Sequence, residues 1–249
     1  VLSLRAVDTR LAIQLFLSGE RFSRYEVLFA QQGVQCISAR DIPPPRWANP
    51  WHAASFAKLG ALWQTTWSRI IVMDVDAVAL KNIDHLAAVP APALTYRPDR
   101  CGSQRAQCCW DINAGVMVLR PNAGDAARVE SILRAPTGSA GRVDGDGGDQ
   151  SFWRHFYSRV NELPAAYNTF KADKVVNWSS DVFVLHDVWG TRWSRWWSPS
   201  PARQWLDNLT STASSMMRSA AAKPLNRSRA VCYVKSLIHL CDYDDQSFI

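Results

Sequence analysis

Apolar residues along this chain fall into two patterns. Short runs, nearly unbroken by polar residues, occur at Leu11–Leu17, Val34–Ile37, Ile70–Met73, Val116–Leu119 and Val182–Leu185. Runs of this length, rich in β-branched side chains, predict buried strands. Between them apolar residues recur at helical spacing. Phe56, Leu59, Trp63 and Trp67 predict an amphipathic helix from Ser55 to Trp67, and Ala126, Val129 and Leu133 predict another. Residues 21–32 and about 149–159 read as further helices. Turns at Ser18-Gly19-Glu20, Pro43-Pro44-Pro45 and Arg120-Pro121-Asn122, and a flexible acidic loop from Gly141 to Gly148, separate the elements. Strands alternating with helices predict an α/β fold with a mostly parallel central sheet. From Pro199 the alternation gives way to a Ser- and Ala-rich texture. Residues 1–198 are therefore expected as one folded domain, and 199–249 as a helical or irregular C-terminal extension.

At 249 residues, 47% apolar and 20% charged, the composition is that of a globular protein with one sizeable core. No apolar stretch approaches bilayer length. The chain starts at Val1 without a methionine, so a segment upstream of it is expected. A net charge of +6 favours an anionic partner. The basic residues are scattered, with no basic block and no zinc-finger pattern, which argues against nucleic acid. Six cysteines with no CxxC pair argue against a structural zinc site. Sequons at Asn177, Asn208 and Asn226 tilt the expected location toward the Golgi or secretory lumen over the cytoplasm.

Chemistry concentrates at the ends of the predicted strands. Asp74-Val75-Asp76 stands between the apolar runs Ile70–Met73 and Ala77–Leu80. Two carboxylates at a strand end are costly to bury unless paired or bound to a cation, and in extended chain residues i and i+2 face the same side. Three other segments occupy strand ends or helix starts: Asp111-Ile112-Asn113-Ala114-Gly115, Asp146-Gly147-Gly148-Asp149-Gln150, and His186 directly after a strand. Singly, each reads as a turn, a cap or a satisfied buried histidine. Together, at strand ends, they read as a site.

These stretches resemble glycosyltransferase family 8, whose members include glycogenin and the plant xylan glucuronosyltransferases. The matching residues are Lys58-Leu59, Ile71–Asp76 running to Leu80-Lys81-Asn82-Ile83-Asp84, Asn113-Ala114-Gly115-Val116, Asp146–Gln150, Leu163-Pro164-Ala165-Ala166-Tyr167-Asn168 and His186. The resemblance implies a GT-A fold and a metal-dependent retaining transfer of a hexosyl or uronosyl group from a UDP-sugar to a carbohydrate or glycoconjugate acceptor. It implies that Asp74, Asp76 and His186 hold a divalent cation, manganese rather than magnesium because an imidazole joins two carboxylates. It implies that Lys58, Asn113, Ala114, Gly115 and Asp146 line the donor. It makes Asp149 and Gln150 the catalytic pair, Asp149 as nucleophile or as stabiliser of an oxocarbenium-like centre.

Some features depart from the family. Its first strand, which carries uridine contacts, would precede Val1. Its HxxGxxKPW stretch appears as His186-Asp187-Val188-Trp189-Gly190-Thr191-Arg192-Trp193-Ser194-Arg195-Trp196-Trp197, with the glycine displaced to Gly190 and Arg192 or Arg195 in place of lysine. No tyrosine lies between Thr169 and Leu185, which excludes a glycogenin-like self-primer there. Trp189, Trp193, Trp196 and Trp197 read either as an acceptor platform or as packing. Two other readings stay open: a sugar-binding domain of this fold without turnover, and a haloacid-dehalogenase-type phosphatase built on the DxD. The latter needs its DxD on the first strand and gives Asn113, Gln150 and His186 no role.

Overall fold

The apolar runs divide their side chains between two cores. The computed structural model of the chain describes residues 1–17, 26–27, 29–38, 40, 42–98, 110–134, 147–170, 182–186 and the backbone of 234–241. Its strands are β1 (Ala12–Leu17), β2 (Val34–Ser38), β3 (Arg69–Met73), β4 (Val78–Ala79), β5 (Ala93–Pro98), β6 (Trp110–Leu119), β7 (Asn161–Leu163), β8 (Thr169–Phe170), β9 (Val184–His186) and β10 (Val234–Cys241). Its α-helices are α1 (Leu2–Ala6), α2 (Asp125–Arg134) and α3 (Asp149–Phe156). On β3, Ile70 and Val72 join one core while Ile71 and Met73 join the other. β6 does the same with Met117 and Leu119 against Val116 and Val118. Side-chain alternation along a strand buried on both faces produces that division.

A seven-stranded sheet runs in the order β2-β1-β10-β3-β6-β5-β7. Strands β2, β1, β3, β5 and β7 share one direction, and β10 and β6 oppose them. The expected common direction therefore holds for most strands, but the two opposed strands make the sheet mixed and most neighbouring pairs antiparallel. A three-stranded sheet, β4-β9-β8, follows the end of β3.

The first core lies under α2, α3 and a series of 3₁₀ turns from Pro50 to Trp63. A helix was expected from Ser55 to Trp67, and the difference is one of pitch. With three residues per turn, Phe56, Leu59 and Leu62 share a face, and all three are fully buried. Trp67 falls beyond the last turn. Helix α3 stops at Phe156, short of the expected Arg159, where the Tyr157 N–H closes on the Trp153 carbonyl at 3.0 Å. Arg128 of α2 donates to the Phe156 carbonyl and stacks 4.3 Å over the Phe156 ring, tying α2 to the end of α3.

Two further differences bear on the site. Asn113, Ala114 and Gly115 lie inside β6, not before it, and His186 is the last residue of β9, not the one after it. Residues 199–249, expected to be helical or irregular, contribute β10 to the middle of the sheet, where its backbone pairs with β1 and β3. The pairing partners lie far away in sequence, so local texture does not reveal them. Among the described residues no helix is long and apolar enough to cross a membrane.

Phe56→Ala is expected to cost about 3–5 kcal/mol in urea unfolding, because it empties the contact between the 3₁₀ segment and the sheet. Val27→Ala, at a residue that is 64% exposed, should change stability by less than about 0.5 kcal/mol.

Candidate functional site

The site forms where β3 ends. Asp74 follows Met73, and its N–H donates to the Gly115 carbonyl of β6 at 2.8 Å. The chain then turns, with the Ala77 N–H on the Asp74 carbonyl at 3.1 Å. Asp74 and Asp76 thus meet across a turn, whereas the alternation of side chains in extended chain predicts that they meet along a strand. The turn leads into β4, which pairs with β9, and β9 delivers His186. His186 Nε2 lies 3.3 Å from Asp76 Oδ1 and 3.6 Å from Asp74 Oδ2. One potential ligand atom from each residue lies within 4.8 Å of the others.

A second charge centre adjoins this one. The Lys58 ammonium is 2.8 Å from Asp74 Oδ1 and 2.7 Å from Asp149 Oδ2, and it donates to the Ala114 carbonyl at 3.3 Å. Lys58 is 4% exposed. Burial alone would lower its pKa, but the charges of Asp149 and Asp74 and hydrogen bonds to both hold it above the usual 10.5. Burial pushes the Asp74 carboxyl up to about 6 against the pull of Lys58 and His186. At Asp76 burial acts in the same direction, but the hydrogen bond and charge of His186 prevail and hold it below the ordinary carboxylate value.

Asp149 stands in the first turn of α3. Its N–H donates to Ser55 Oγ at 3.2 Å, and Trp153 Nε1–H donates to its Oδ2 at 3.2 Å. The preceding loop is clamped from the other side by Asn49, whose N–H donates to the Gly147 carbonyl at 3.0 Å. Gly147 has φ +78°, and a Cβ there would lie 2.7 Å from the Asn49 nitrogen, so both conformation and space demand glycine.

Side-chain amides join the two centres. His186 Nδ1 lies 2.7 Å from Asn168 Oδ1. Asn168 Nδ2 donates to Asn113 Oδ1 at 2.5 Å, and Asn113 Nδ2 donates to Gln150 Oε1 at 2.7 Å. The Gly115 N–H also donates to Asn113 Oδ1, at 3.0 Å. A Cβ at Gly115 would overlap the His186 imidazole and stand 2.9 Å from Asn168 Oδ1. The Asn168 N–H donates to the Ala165 carbonyl at 3.0 Å, and its neighbour is packed in place. Tyr167 stacks on Phe183 at 4.7 Å, and its hydroxyl meets His85 Nε2 at 2.6 Å.

Of the residues expected at the site, Lys58, Asp74, Asp76, Asn113, Ala114, Gly115, Asp149, Gln150 and His186 come together. Ala114 takes part through its carbonyl, and Gly115 through the room it leaves for the His186 ring. Asp146, Gly190, Arg192, Arg195, the four tryptophans from Trp189 to Trp197 and the three sequons lie outside the described residues. Asn168, Ser55 and Trp153 also belong to the site, although the sequence alone assigns none of them a role there. Asn168 precedes only the two-residue strand β8, so no apolar run marks it in the sequence.

No protein-family model matches the chain. Glycogenin from Neurospora crassa is 30% identical over 177 residues, which is 67% of this chain and 24% of that protein. Uncharacterized protein R707 of Acanthamoeba polyphaga mimivirus is 34% identical over 77 residues, 27% of each chain. The chain thus spans about a quarter of the length of these curated relatives. The glycosyltransferase GlyE of Streptococcus pneumoniae TIGR4 shares the fold with a TM-score of 0.56 at 15% identity, over 92% of this chain and 62% of GlyE. Its apo form gives 0.55 at 15%, over 91% and 60%. The fold is accordingly the GT-A type.

Two outcomes test this geometry. Gly115→Ala should cost about 1–3 kcal/mol by overpacking and shift the His186 ring resonances, read by denaturant melts and imidazole NMR. Lys58→Met leaves buried carboxylates without their counter-charge and should cost about 3–5 kcal/mol at pH 7. That deficit should shrink toward pH 5. Losing Lys58 raises the Asp74 pKa further above its unfolded value, so the folded variant binds protons there that the unfolded chain does not. A deficit that grows on acidification would contradict the ion-pair account.

Proposed function

This chain belongs to a glycogenin-like family of glycosyltransferases, and on that premise we propose that it is a metal-dependent retaining hexosyltransferase of family 8 type. The donor is a UDP-sugar, and the transferred hexosyl or uronosyl group passes to a hydroxyl of a carbohydrate or glycoconjugate. The observation that carries this reading is the convergence of Asp74, Asp76 and His186 within 4.8 Å at the end of β3. Two carboxylates and an imidazole edge, gathered from two elements onto one point, are a donor set for a borderline divalent cation such as manganese, with magnesium as the alternative. A cation held there would neutralise negative charge on the diphosphate as it departs.

The protein's own groups supply the rest. Lys58 fixes the separation of Asp74 from Asp149, so the cation site and the Asp149 carboxylate keep a set spacing on either side of the ammonium. Asp149 offers negative charge to an anomeric carbon that becomes positive as its bond to the diphosphate lengthens. Trp153, hydrogen-bonded to Asp149 Oδ2 and fully buried, keeps that carboxylate in one rotamer. Asn113 and Gln150 present amides for sugar hydroxyls. A net charge of +6 favours the anionic donor.

UDP release from UDP-glucose, UDP-galactose, UDP-glucuronic acid and UDP-xylose should be followed with manganese and with chelator. At least one donor should be hydrolysed only with the metal, and Asp76→Ala should abolish that hydrolysis. Failure of every donor, together with absence of manganese-dependent UDP binding, would overturn the reading. Asp149→Asn keeps shape and removes charge, so kcat should fall on the order of a hundredfold with donor affinity little changed. Lost affinity with retained turnover would confine Asp149 to ground-state binding.

A further inference from the structure

We propose that Asn168 is a positioning residue that couples the cation ligand His186 to the donor-facing amides of Asn113 and Gln150, and that the backbone N–H of Gly115 sets the polarity of the whole relay. This rests on the reading of Asp74, Asp76 and His186 as a cation site.

The Gly115 N–H fixes the direction of every bond in the relay. A backbone N–H can only donate, so the Asn113 atom 3.0 Å from the Gly115 nitrogen is the carbonyl oxygen. The Asn168 atom 2.5 Å from that oxygen must then be its NH2. The other end of the Asn168 amide, 2.7 Å from His186 Nδ1, is therefore oxygen, and Nδ1 must carry the proton. In the neutral ring Nε2 is then the bare nitrogen. It is Nε2 that lies 3.3 Å from Asp76 and 3.6 Å from Asp74, so this nitrogen donates to the carboxylates when protonated and joins them as a ligand when a cation takes the proton's place. In the opposite direction, Asn113 turns its NH2 to Gln150 Oε1 at 2.7 Å. Gln150 consequently directs its own NH2 away from Asn113. One amide thus assigns the tautomer of a cation ligand and the orientation of two donor-facing side chains.

Burial makes the assignment binding. Asn168 is 1% exposed and His186 7%, so bulk water does not replace a lost partner. Partners that orient a metal-bound histidine through its second nitrogen change metal affinity by roughly 10–100-fold when removed. Gly115 contributes twice, through its N–H and through the space that brings the imidazole against β6.

Three variants and the unaltered chain separate the possibilities. Manganese alone is titrated by calorimetry, without donor, and UDP and a hydrolysed UDP-sugar are then compared as ligands. Asn168→Leu removes both bonds and should weaken manganese binding roughly 10–100-fold. Asn168→Asp keeps an oxygen toward His186 Nδ1–H but opposes oxygen to Asn113 Oδ1. It should bind manganese more tightly than Asn168→Leu while losing the extra affinity that the sugar adds over UDP. Asp76→Ala is the control for the cation reading. In the unaltered chain the imidazole ¹⁵N pattern should show a proton on His186 Nδ1, with Nε2 also protonated in the absence of metal and bare when manganese is bound. A ring whose Nδ1 carries no proton, or an Asn168→Leu chain that binds manganese as the unaltered one does while Asp76→Ala fails to, would overturn the inference and leave the cation site standing. An unaltered chain that binds no manganese would overturn the cation reading and this inference together.

Discussion

A buried ammonium between two carboxylates governs this site. Taking the Lys58 charge out of water is costly, and only the close approach of Asp74 and Asp149 offsets it. The consequence is geometric. Asp74 is attached to the end of β3 and Asp149 to the start of α3, so the ion triplet fixes the helix against the sheet at the point where the chemistry is proposed. Lys58 reaches both oxygens of Asp74, Oδ1 at 2.8 Å and Oδ2 at 3.1 Å, and Oδ2 is also the oxygen that faces His186 Nε2 at 3.6 Å.

The two cores explain why this arrangement can be held. Residues of β3 pack on both faces of the sheet, so the strand leading to Asp74 has little freedom. The 3₁₀ segment that carries Lys58 is anchored by Phe56, Leu59 and Leu62 on the same side as α3. The small sheet β4-β9-β8 then folds back over the turn at Asp74 to deliver His186 beside Gly115. Apolar packing thus sets distances, and the amide relay from His186 to Gln150 sets directions. Both are required for a site that must distinguish a lone pair from an N–H.

Much of this was legible in the chain. Asp74, Asp76, Asn113 and His186 each interrupt or adjoin an apolar run, Asp149 opens a helix after a glycine-rich loop, and a polar group at such a place needs a reason that local sequence can reveal. Partnership is less legible. Asn168 meets Asn113 across 55 positions and His186 across 18, and Trp153 looks like an ordinary core aromatic until its indole N–H is seen on Asp149. The pitch of the Pro50–Trp63 segment was also hidden, because over a few turns an i, i+3 stripe fits a 3₁₀ helix and an α-helix alike. The turn at Asp74–Ala77 defeated the pleat argument for a related reason: the spacing of two carboxylates is the same whether the backbone is extended or bent. For β10, the decisive interactions are with distant strands, Leu240 pairing with Ala12 and Leu237 with Met73.

The central claim is that one divalent cation joins Asp74, Asp76 and His186 and faces the diphosphate of a nucleotide-sugar. Anomalous diffraction at the manganese edge, from crystals grown with manganese and UDP, tests it most directly. The account predicts a single strong peak in contact with both carboxylates and His186 Nε2, adjoining the diphosphate. A peak bound elsewhere, or UDP held with no metal at these three side chains, would contradict it.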